Sequence, residues 1–548
     1  MEEVMKIIDG KMFRQMIVTG ATVLHNNHPE IDALNVFPVP DGDTGTNMSL
    51  TFTSGATEVE RLQSERVDEI AKTLSKGLLM GARGNSGVIL SQIFRGVSKS
   101  LKGKETANAN DLADAFMQGS KVAYKAVMKP TEGTILTVIR ESAEAAKAYV
   151  TEDMEIEDYF SYFVKAANES LDRTPELLPV LKEVGVVDSG GAGLLLVLTG
   201  FMSALAGEEI ERVDINEEEV KNQQALERAE KAGIKANFGY RTEFMLDIAE
   251  GKESAFNAEN FQNELERIPG ERITIVQDGN IVRAKLYTKK PGNALNIAQR
   301  FGEFLTVDIE NPNAKDVEKK EIVEEVPEKD IAVISVAAGS GIKATFEELH
   351  CDHVVSGGQT MNPATEDLVK AIRGVHAKHV IVLPNNSNIV MTAQQAATVL
   401  EDEIDVIVIP TKTIPQGLSA CIMFNPEASL EDNVSEMKDA MENVKTGQVT
   451  FAVRDTNIDG VEVTANQYMA LCNKTITACV PEKMDALKKS LEGLVDDDSE
   501  IITLICGEDV TDEEKEEAQA YIEETYEDAE LEMIDGLQPV YSFIIGVE

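Results

Sequence analysis

NVFPVPDGDTGTNMSL, residues 35–50, decides how the rest of the chain is read. Two prolines lead into a loop that carries Asp41, Asp43 and several residues too small to fill a core. Three readings compete. A calcium loop starting at Asp41 needs an oxygen ligand at its fifth position and a glutamate at its twelfth; the chain has Gly45 and Phe52 there. A phosphatase nucleophile would end an apolar strand and be followed, two residues past the second aspartate, by Thr or Val; here FPVP precedes Asp41 and Gly45 follows Asp43. The third reading, a cradle for a cation bound to a phosphorylated ligand, accounts for more of the stretch. Paired carboxylates suit a hard cation such as Mg²⁺, which keeps its other positions for water and substrate phosphates. Gly42 and Gly45 let the backbone turn, Thr44, Thr46 and Asn47 add donors, and a helix starting here would offer free N–H groups to phosphate oxygens. Asp and Gly also dominate ordinary turns, so this loop by itself is only moderately specific.

Two other loops repeat the design: GARGNSG (81–87) runs into the apolar VILSQIF and DSGGAG (188–193) into LLLVL, while PTEGT (130–134) is a further polar loop between helices. Singly, such a loop reads as an N-cap. Together they predict helix N-termini gathered at one end of a bundle, where macrodipoles and free amides favour an anion. The surrounding pattern is helical: Val4–Leu24, Val67–Met80, Ala107–Val127, Ile135–Val150 and Tyr159–Leu171 carry apolar residues at three- and four-residue spacing. The run GLLLVLTGFMSALAG (193–207) falls short of the roughly 20 residues a membrane crossing needs and reads as a buried helix. No GxxxxGK[ST] occurs, so a nucleotide here is not held by a Walker loop.

Beyond residue 207 the texture changes twice. A charged linker (208–231) precedes EFMLDI, RITIVQDGNIVRAKLYT and FLTVDI, which predict a small α+β domain with a QDGN hairpin. After a second charged run (314–330), IAVISVAAGSG, HVVSGGQTMNP, HVIVLPNNSN and DVIVIPTKTIPQG each pass from a β-branched strand into a polar loop, with helical segments between them. That alternation predicts an α/β domain with a mostly parallel sheet and ligands at its carboxyl edge. Further strands, QVTFAV, EIITLIC and PVYSFIIGV, surround an acidic helix near the end. The expected division is therefore 1–207, 208–330 and 331–548, in keeping with 548 residues and roughly 100–200 per domain.

Composition narrows the partners. With 96 acidic against 51 basic residues, the formal net charge of −45 disfavours nucleic acid and anionic membrane. The amino end, MEEVMKIIDGK, has no signal-peptide pattern, and five cysteines suggest no disulfide framework, so a cytoplasmic protein without membrane insertion is expected. Six histidines come in pairs (His25/His28, His350/His353, His376/His379) and read as surface or packing residues rather than ligands.

LNVFPVPDGDTGTNM, GLLMGARGNSGVILSQIFRG, KPTEGTILTV and TPELLPVLKEVGVVDSGGAGLL, in that order, closely resemble the nucleotide-binding domain of dihydroxyacetone kinases, in the version that opens the ATP-binding subunit of bacterial fatty acid kinase. SGGQTMNPATEDLVKAI and VLPNNSNIVMTAQQA resemble the DegV-like C-terminal region of the same subunit. The resemblance implies an all-α eight-helix barrel holding Mg-ATP, and phosphoryl transfer to the carboxylate of a fatty acid presented by a separate DegV-type fatty-acid-binding protein. It assigns Asp41 and Asp43 to catalysis and to magnesium, with Asn35 as a neutral third ligand. The relatives' third aspartate falls at Val36 here. Thr44, Gly45, Thr46, Asn47, Asn85 and Ser86 would contact phosphates; Thr134 and Ile135 would line the pocket; Asp188, Ser189 and Gly190 would close it. Arg173 is either a phosphate-reaching cation or a surface charge. Where relatives carry a zinc-suited Cys and two His in the middle domain, this chain has Arg241, Lys285 and Tyr287, so no zinc is expected there. That domain would serve dimerisation or spacing, giving a homodimer, while the C-terminal domain is the expected docking surface for the partner. A dihydroxyacetone-type small-molecule kinase and a non-catalytic nucleotide-binding regulator are the alternatives.

Overall fold

The computed structural model describes residues 5–36, 42–213, 240–248, 261, 264–265, 268, 270–278, 281–288, 290–310, 329–359, 361–452, 456–458, 460–473 and 475–548. Two compact units emerge: Met1–Val213 together with Pro327–Glu548, and Asp214–Val326. The first and third of the expected domains thus pack into one body.

The helical region is built from α1 (Gly10–Leu34), α2 (Thr44–Arg61), α3 (Val67–Gly81), α4 (Gly84–Leu101), α5 (Ala109–Ala126), α6 (Ile135–Tyr149), α7 (Ile156–Asp172), the short α8 (Thr174–Leu177) and α9 (Pro179–Val184), and α10 (Ser189–Leu205). Eight of these have 15 residues or more. Consecutive long helices pack on one another, and α10 returns to α1, closing the ring. A short antiparallel pair, β1 (Ile7–Ile8) and β2 (Ala107–Asn108), ties the start of α1 to that of α5. The interior of the ring is filled by phenylalanines: Phe52, Phe94, Phe116, Phe160, Phe163 and Phe201 are fully buried, many in edge-to-face contact. Gly20 and Gly200 let α1 and α10 approach so closely that a Cβ on Gly200 would lie 2.6 Å from Gly20 Cα. Most of the apolar run at 193–207 is the body of α10, whose Leu194, Val197, Leu198, Phe201 and Ala204 are buried in the ring's core. One boundary departs from expectation. α1 begins at Gly10, capped by Asp9 whose carboxylate accepts from Met12 N, and continues through Pro29 to Leu34.

In the smaller unit, β3 (Tyr240–Ile248), β4 (Gly270–Asp278), β5 (Ile281–Thr288) and β6 (Gly302–Glu310) make an antiparallel sheet in the order β4-β5-β3-β6, with α11 (Pro291–Ala298) against β3. Asp278 pairs with Ile281, so the QDGN hairpin closes through a two-residue loop that lies outside the described residues. The backbone register sets Arg241 opposite Tyr287 and Lys285 opposite Glu243.

Among the described residues the α/β region carries two larger sheets and a two-stranded antiparallel pair, Thr456–Ile458 with Val461–Val463. β7 (Lys329–Ala337), β8 (His353–Ser356), β9 (Ala377–Leu383) and β10 (Asp405–Val408) form a parallel sheet in the order β10-β9-β7-β8, and α12 (Ser340–Glu348) links β7 to β8. The second sheet is six-stranded and mostly antiparallel, with a single parallel pair between Ile501–Cys506 and Glu530–Asp535. The parallel expectation therefore holds for the first sheet only. Cys351, Cys421, Cys472 and Cys506 are buried free thiols and Cys479 is half-buried; burial pushes Cys351 and Cys421 up to about 12.

Candidate functional site

Four helix N-termini open on one cavity of about 240 Å³. α2 contributes Thr44 and Asn47, α4 contributes Asn85 and Ser86, α6 contributes Ile135 and Leu136 behind their N-cap Thr134, and α10 contributes Ser189 and Gly190 behind Asp188. Each helix start leaves backbone N–H groups without an intrahelical partner, and four aligned macrodipoles sum to a positive potential inside an acidic protein. Such an arrangement takes a polyanion.

The loops hold this geometry through glycine. Gly84 has φ +60° and lies against Asn47, where a Cβ would come 2.6 Å from Nδ2. Gly133, with φ +81°, turns the chain into α6 beneath Leu178. Thr134 caps α6 by accepting from Leu136 N while donating to Thr131 O. Asp188 caps α10 by accepting from Gly191 N at 2.7 Å, and the N–H of Ile135 also reaches it, so one carboxyl ties two helix starts together. Burial pushes this carboxyl up to about 7 despite those two donors.

Asn35 and Asp43 line the same cavity. Asn35 is buried, and Asp43 is half-buried and leads into α2. Asp41 falls outside the described residues. Among the described residues no group of three His, Cys, Asp or Glu could hold a metal ion. One carboxylate with neighbouring amide oxygen nonetheless fits Mg²⁺, which takes one or two carboxylates and completes its shell with water and phosphate.

Two of the expected contact residues lie outside the cavity lining. Gly45 and Thr46 do not line the cavity. Gly45 is pressed against α1, where a Cβ would meet His28 O at 2.1 Å, and Thr46 is bound to Asp32, which accepts from its N–H at 3.0 Å and its hydroxyl at 2.7 Å. Their work is to dock α2 on α1. Arg173 pairs with Glu141 at 2.6 Å and is not among the lining residues.

Seven lining residues escaped sequence reasoning: the apolar Ile89, Val127 and Leu136, and Lys129, Thr131, Asn388 and Met391. Lys129 immediately precedes the PTEGT loop and could have been found by extending that motif by one residue. Asn388 and Met391 belong to the α/β region, some 300 positions away, and only the fold brings them here. Asn85 Nδ2 donates to Asn388 Oδ1 at 3.0 Å, and Asn362 Nδ2 donates to Asp43 Oδ2 at 2.6 Å.

Fold and site together define a helical barrel with helix N-termini around one cavity, joined to an α/β domain. Comparison with known proteins gives that class a family. A DAK2 domain matches residues 38–203, and the middle and C-terminal domains of the FakA-like fatty acid kinase family match 237–318 and 332–548. Protein YloV of Bacillus subtilis is 43% identical over 558 residues, covering 99% of this chain and all of the relative. The chain belongs to the FakA-like fatty acid kinase family. Among solved structures, the DegV family protein Cg2579 from Corynebacterium glutamicum is 15% identical, covering 40% of this chain and 96% of that one at a TM-score of 0.31. The Streptococcus pneumoniae fatty acid kinase B3 protein, loaded with linoleic acid, is 14% identical, covering 40% of this chain and 99% of that one at 0.29.

Proposed function

We propose that this chain is the ATP-binding kinase subunit that phosphorylates the carboxylate of a fatty acid, giving acyl phosphate and ADP. The acyl group is presented by a separate DegV-type fatty-acid-binding protein. The observation that carries the reading is the convergence of four helix N-termini on a cavity that also holds Asp43 and Asn35.

Phosphoryl transfer asks little covalent chemistry of a protein; it asks for alignment and for charge complementarity. The amides at the starts of α2, α4, α6 and α10 receive the phosphate oxygens. Asn47, Asn85 and Ser86 add side-chain donors, and among the described residues Lys129 is the one lysine or arginine lining the cavity. Asp43 and Asn35, with Asp41, would hold Mg²⁺, which when bound neutralises charge on the phosphate oxygens. An acyl carboxylate oxygen forms the new bond to the γ-phosphorus as the bond from that phosphorus to the bridging oxygen breaks, and ADP leaves with the electron pair. The acceptor is already ionised near neutral pH, so no proton has to be removed. Among the described residues no histidine lines the cavity, which suits that acceptor. An alcohol acceptor would need a base, and the carboxyl of Asp188 is committed to two backbone donors.

A long acyl chain is insoluble, which favours delivery by a carrier, with the α/β domain as its docking surface. The middle unit serves dimerisation, takes no zinc, and the protein works in the cytoplasm, supplying acyl phosphate to phospholipid synthesis. No helix among the described residues is long and apolar enough to cross a membrane.

The test is ADP release from ATP and Mg²⁺ in three reactions: oleate with a DegV-type carrier, dihydroxyacetone, and no acceptor. Release only with the loaded carrier supports the proposal. Release with dihydroxyacetone instead identifies the small-molecule kinase, and nucleotide binding without release in any reaction identifies a regulator.

A further inference from the structure

The α/β region meets the helical region through amides. α13 (Thr365–Gly374) opens with Thr365, whose N–H and hydroxyl both donate to Ala82 O, at 3.1 and 3.4 Å. On α14 (Val390–Leu400), Gln395 Nε2 donates to Leu79 O at 2.8 Å, and Gln395 Oε1 accepts from Gln92 Nε2 at 2.9 Å. These bonds fix the α/β region against α3, α4 and the turn between them, next to the start of α4 that carries Asn85. They also bring one loop onto Asp43 and a second into the cavity lining.

The first loop carries Asn362, which is 3% exposed. Its backbone oxygen accepts from Arg83 Nη1 at 3.2 Å, and its side-chain Nδ2 donates to Asp43 Oδ2 at 2.6 Å. The orientation of this amide is set by charge, because turning its oxygen toward a carboxylate would be repulsive. Its Oδ1 is buried and has no hydrogen-bond partner among the described residues. Buried acceptors are rarely left so, and the amide is held here for its donor. The second loop carries Asn388, 6% exposed, whose N–H donates to Asn386 Oδ1 at 2.8 Å and whose Oδ1 holds Asn85.

We infer that the α/β domain is part of the nucleotide site, with Asn362 and Asn388 acting as positioning residues for Asp43 and Asn85. The inference rests on the function proposed above. Its chemistry follows from the choice of side chain. A lysine at position 362 would neutralise Asp43 and compete with a cation for it; an amide orients the carboxylate and leaves its charge intact. Partners of ligating carboxylates typically change metal affinity by about 10- to 100-fold when removed. One further consequence is that a carrier docked on the α/β domain would bear on the cation-binding carboxylate through a rigid, hydrogen-bonded path.

The experiment uses the full-length chain with Asn362→Ala, Asn362→Ser, Asn388→Ala and, as reference, Asp43→Ala. Mn²⁺ binding in the presence of ATP is read by electron paramagnetic resonance, and amide hydrogen exchange at residues 44–47 is read without cation or nucleotide. Asn362→Ala should weaken Mn²⁺ by about tenfold and speed exchange at 44–47. Asn362→Ser, gentler on the fold, should do the same should the alanine variant not fold. Asn388→Ala should raise the KM for ATP more than it lowers kcat. Wild-type Mn²⁺ affinity and exchange in a folded Asn362 variant, with Asp43→Ala still impaired, overturns this inference alone. If Asp43→Ala also keeps wild-type affinity and turnover, the proposed cation site falls with it.

Discussion

Two regions of the molecule offer a cavity at the ends of regular elements, and they use their polar groups in opposite ways. At the end of the helical ring, helix N-termini and short polar side chains converge, beside apolar residues such as Ile89, Val127 and Met391, on one volume of about 240 Å³. At the carboxyl edge of the parallel sheet, a smaller cavity of about 110 Å³ is lined by Asn385, Gln359, Lys412 and Gln538 among others. The order β10-β9-β7-β8 makes the gap between β7 and β9 the switch point where α/β proteins commonly bind ligands. Yet Asn385, at the centre of that gap, is spent on the fold: its Nδ2 donates to Ser335 Oγ and Val336 O, and its Oδ1 accepts from Thr411 Oγ1. Topology alone would have favoured the second cavity; the disposition of donors and dipoles favours the first.

The comparison breaks most readily at Asp43. Asp43→Ala should lower carrier-dependent turnover by roughly 10²- to 10³-fold, the scale on which electrostatic groups at such sites act. Its stability should fall by no more than about 1–3 kcal/mol, the cost of leaving the buried Asn362 amide short of its acceptor. An equal loss of stability and activity would mean that Asp43 holds the α2 entrance together rather than serving a bound ligand.

Much of the first region is legible in sequence because each part is local. A glycine-rich turn, a small polar residue and an apolar helical run lie within about ten residues of one another, so DGDTG, GARGNSG and DSGGAG each announce a helix start. What a side chain does within a turn is less legible. Gly45 and Thr46 read as phosphate contacts like their neighbours, and only the passage of α1 beside them, with Asp32 in reach, turns them toward packing. The asparagines of GGQTMNP and VLPNNSN are a harder case. Their sequence context marks strand ends, and nothing within either stretch reveals that Asn362 and Asn388 face Asp43 and Asn85, some 300 residues away.

A smaller effect tests whether the helix starts act as one site. The buried carboxyl of Asp188 is pushed up to about 7 from an ordinary 3.8. Its neutral form is therefore favoured in the folded state. The stability this contributes is fully present below about pH 4 and is lost as pH rises through about 7. At roughly 1.4 kcal/mol per pKa unit the difference amounts to a few kcal/mol at most. Asp188→Asn keeps a good N-cap and removes the titration, so denaturant unfolding from pH 4 to 8 should show the wild type losing stability relative to the variant. Parallel curves would mean that the four dipoles hold Asp188 ionised, and that the cavity's positive potential is stronger than burial.

The smallest effect is expected at the strand-end cavity. Asn385→Ala removes an amide that joins β7, β9 and the loop after β10, and leaves Ser335 and Thr411, both fully buried, short of a partner. Leaving such groups unpaired costs about 1–3 kcal/mol, and Asn385 holds a left-handed φ of +55° that alanine tolerates less well. Stability should fall by that order. The KM for ATP should stay put, because the bonds that tie the α/β domain to α3 and α4 run through Thr365, Gln395 and Asn388 rather than Asn385. Urea unfolding and steady-state kinetics on the same preparation separate the two readouts. A shift in KM without a shift in stability would show that the sheet edge reports to the helical cavity after all, and that the two regions are one functional site rather than a site and its scaffold.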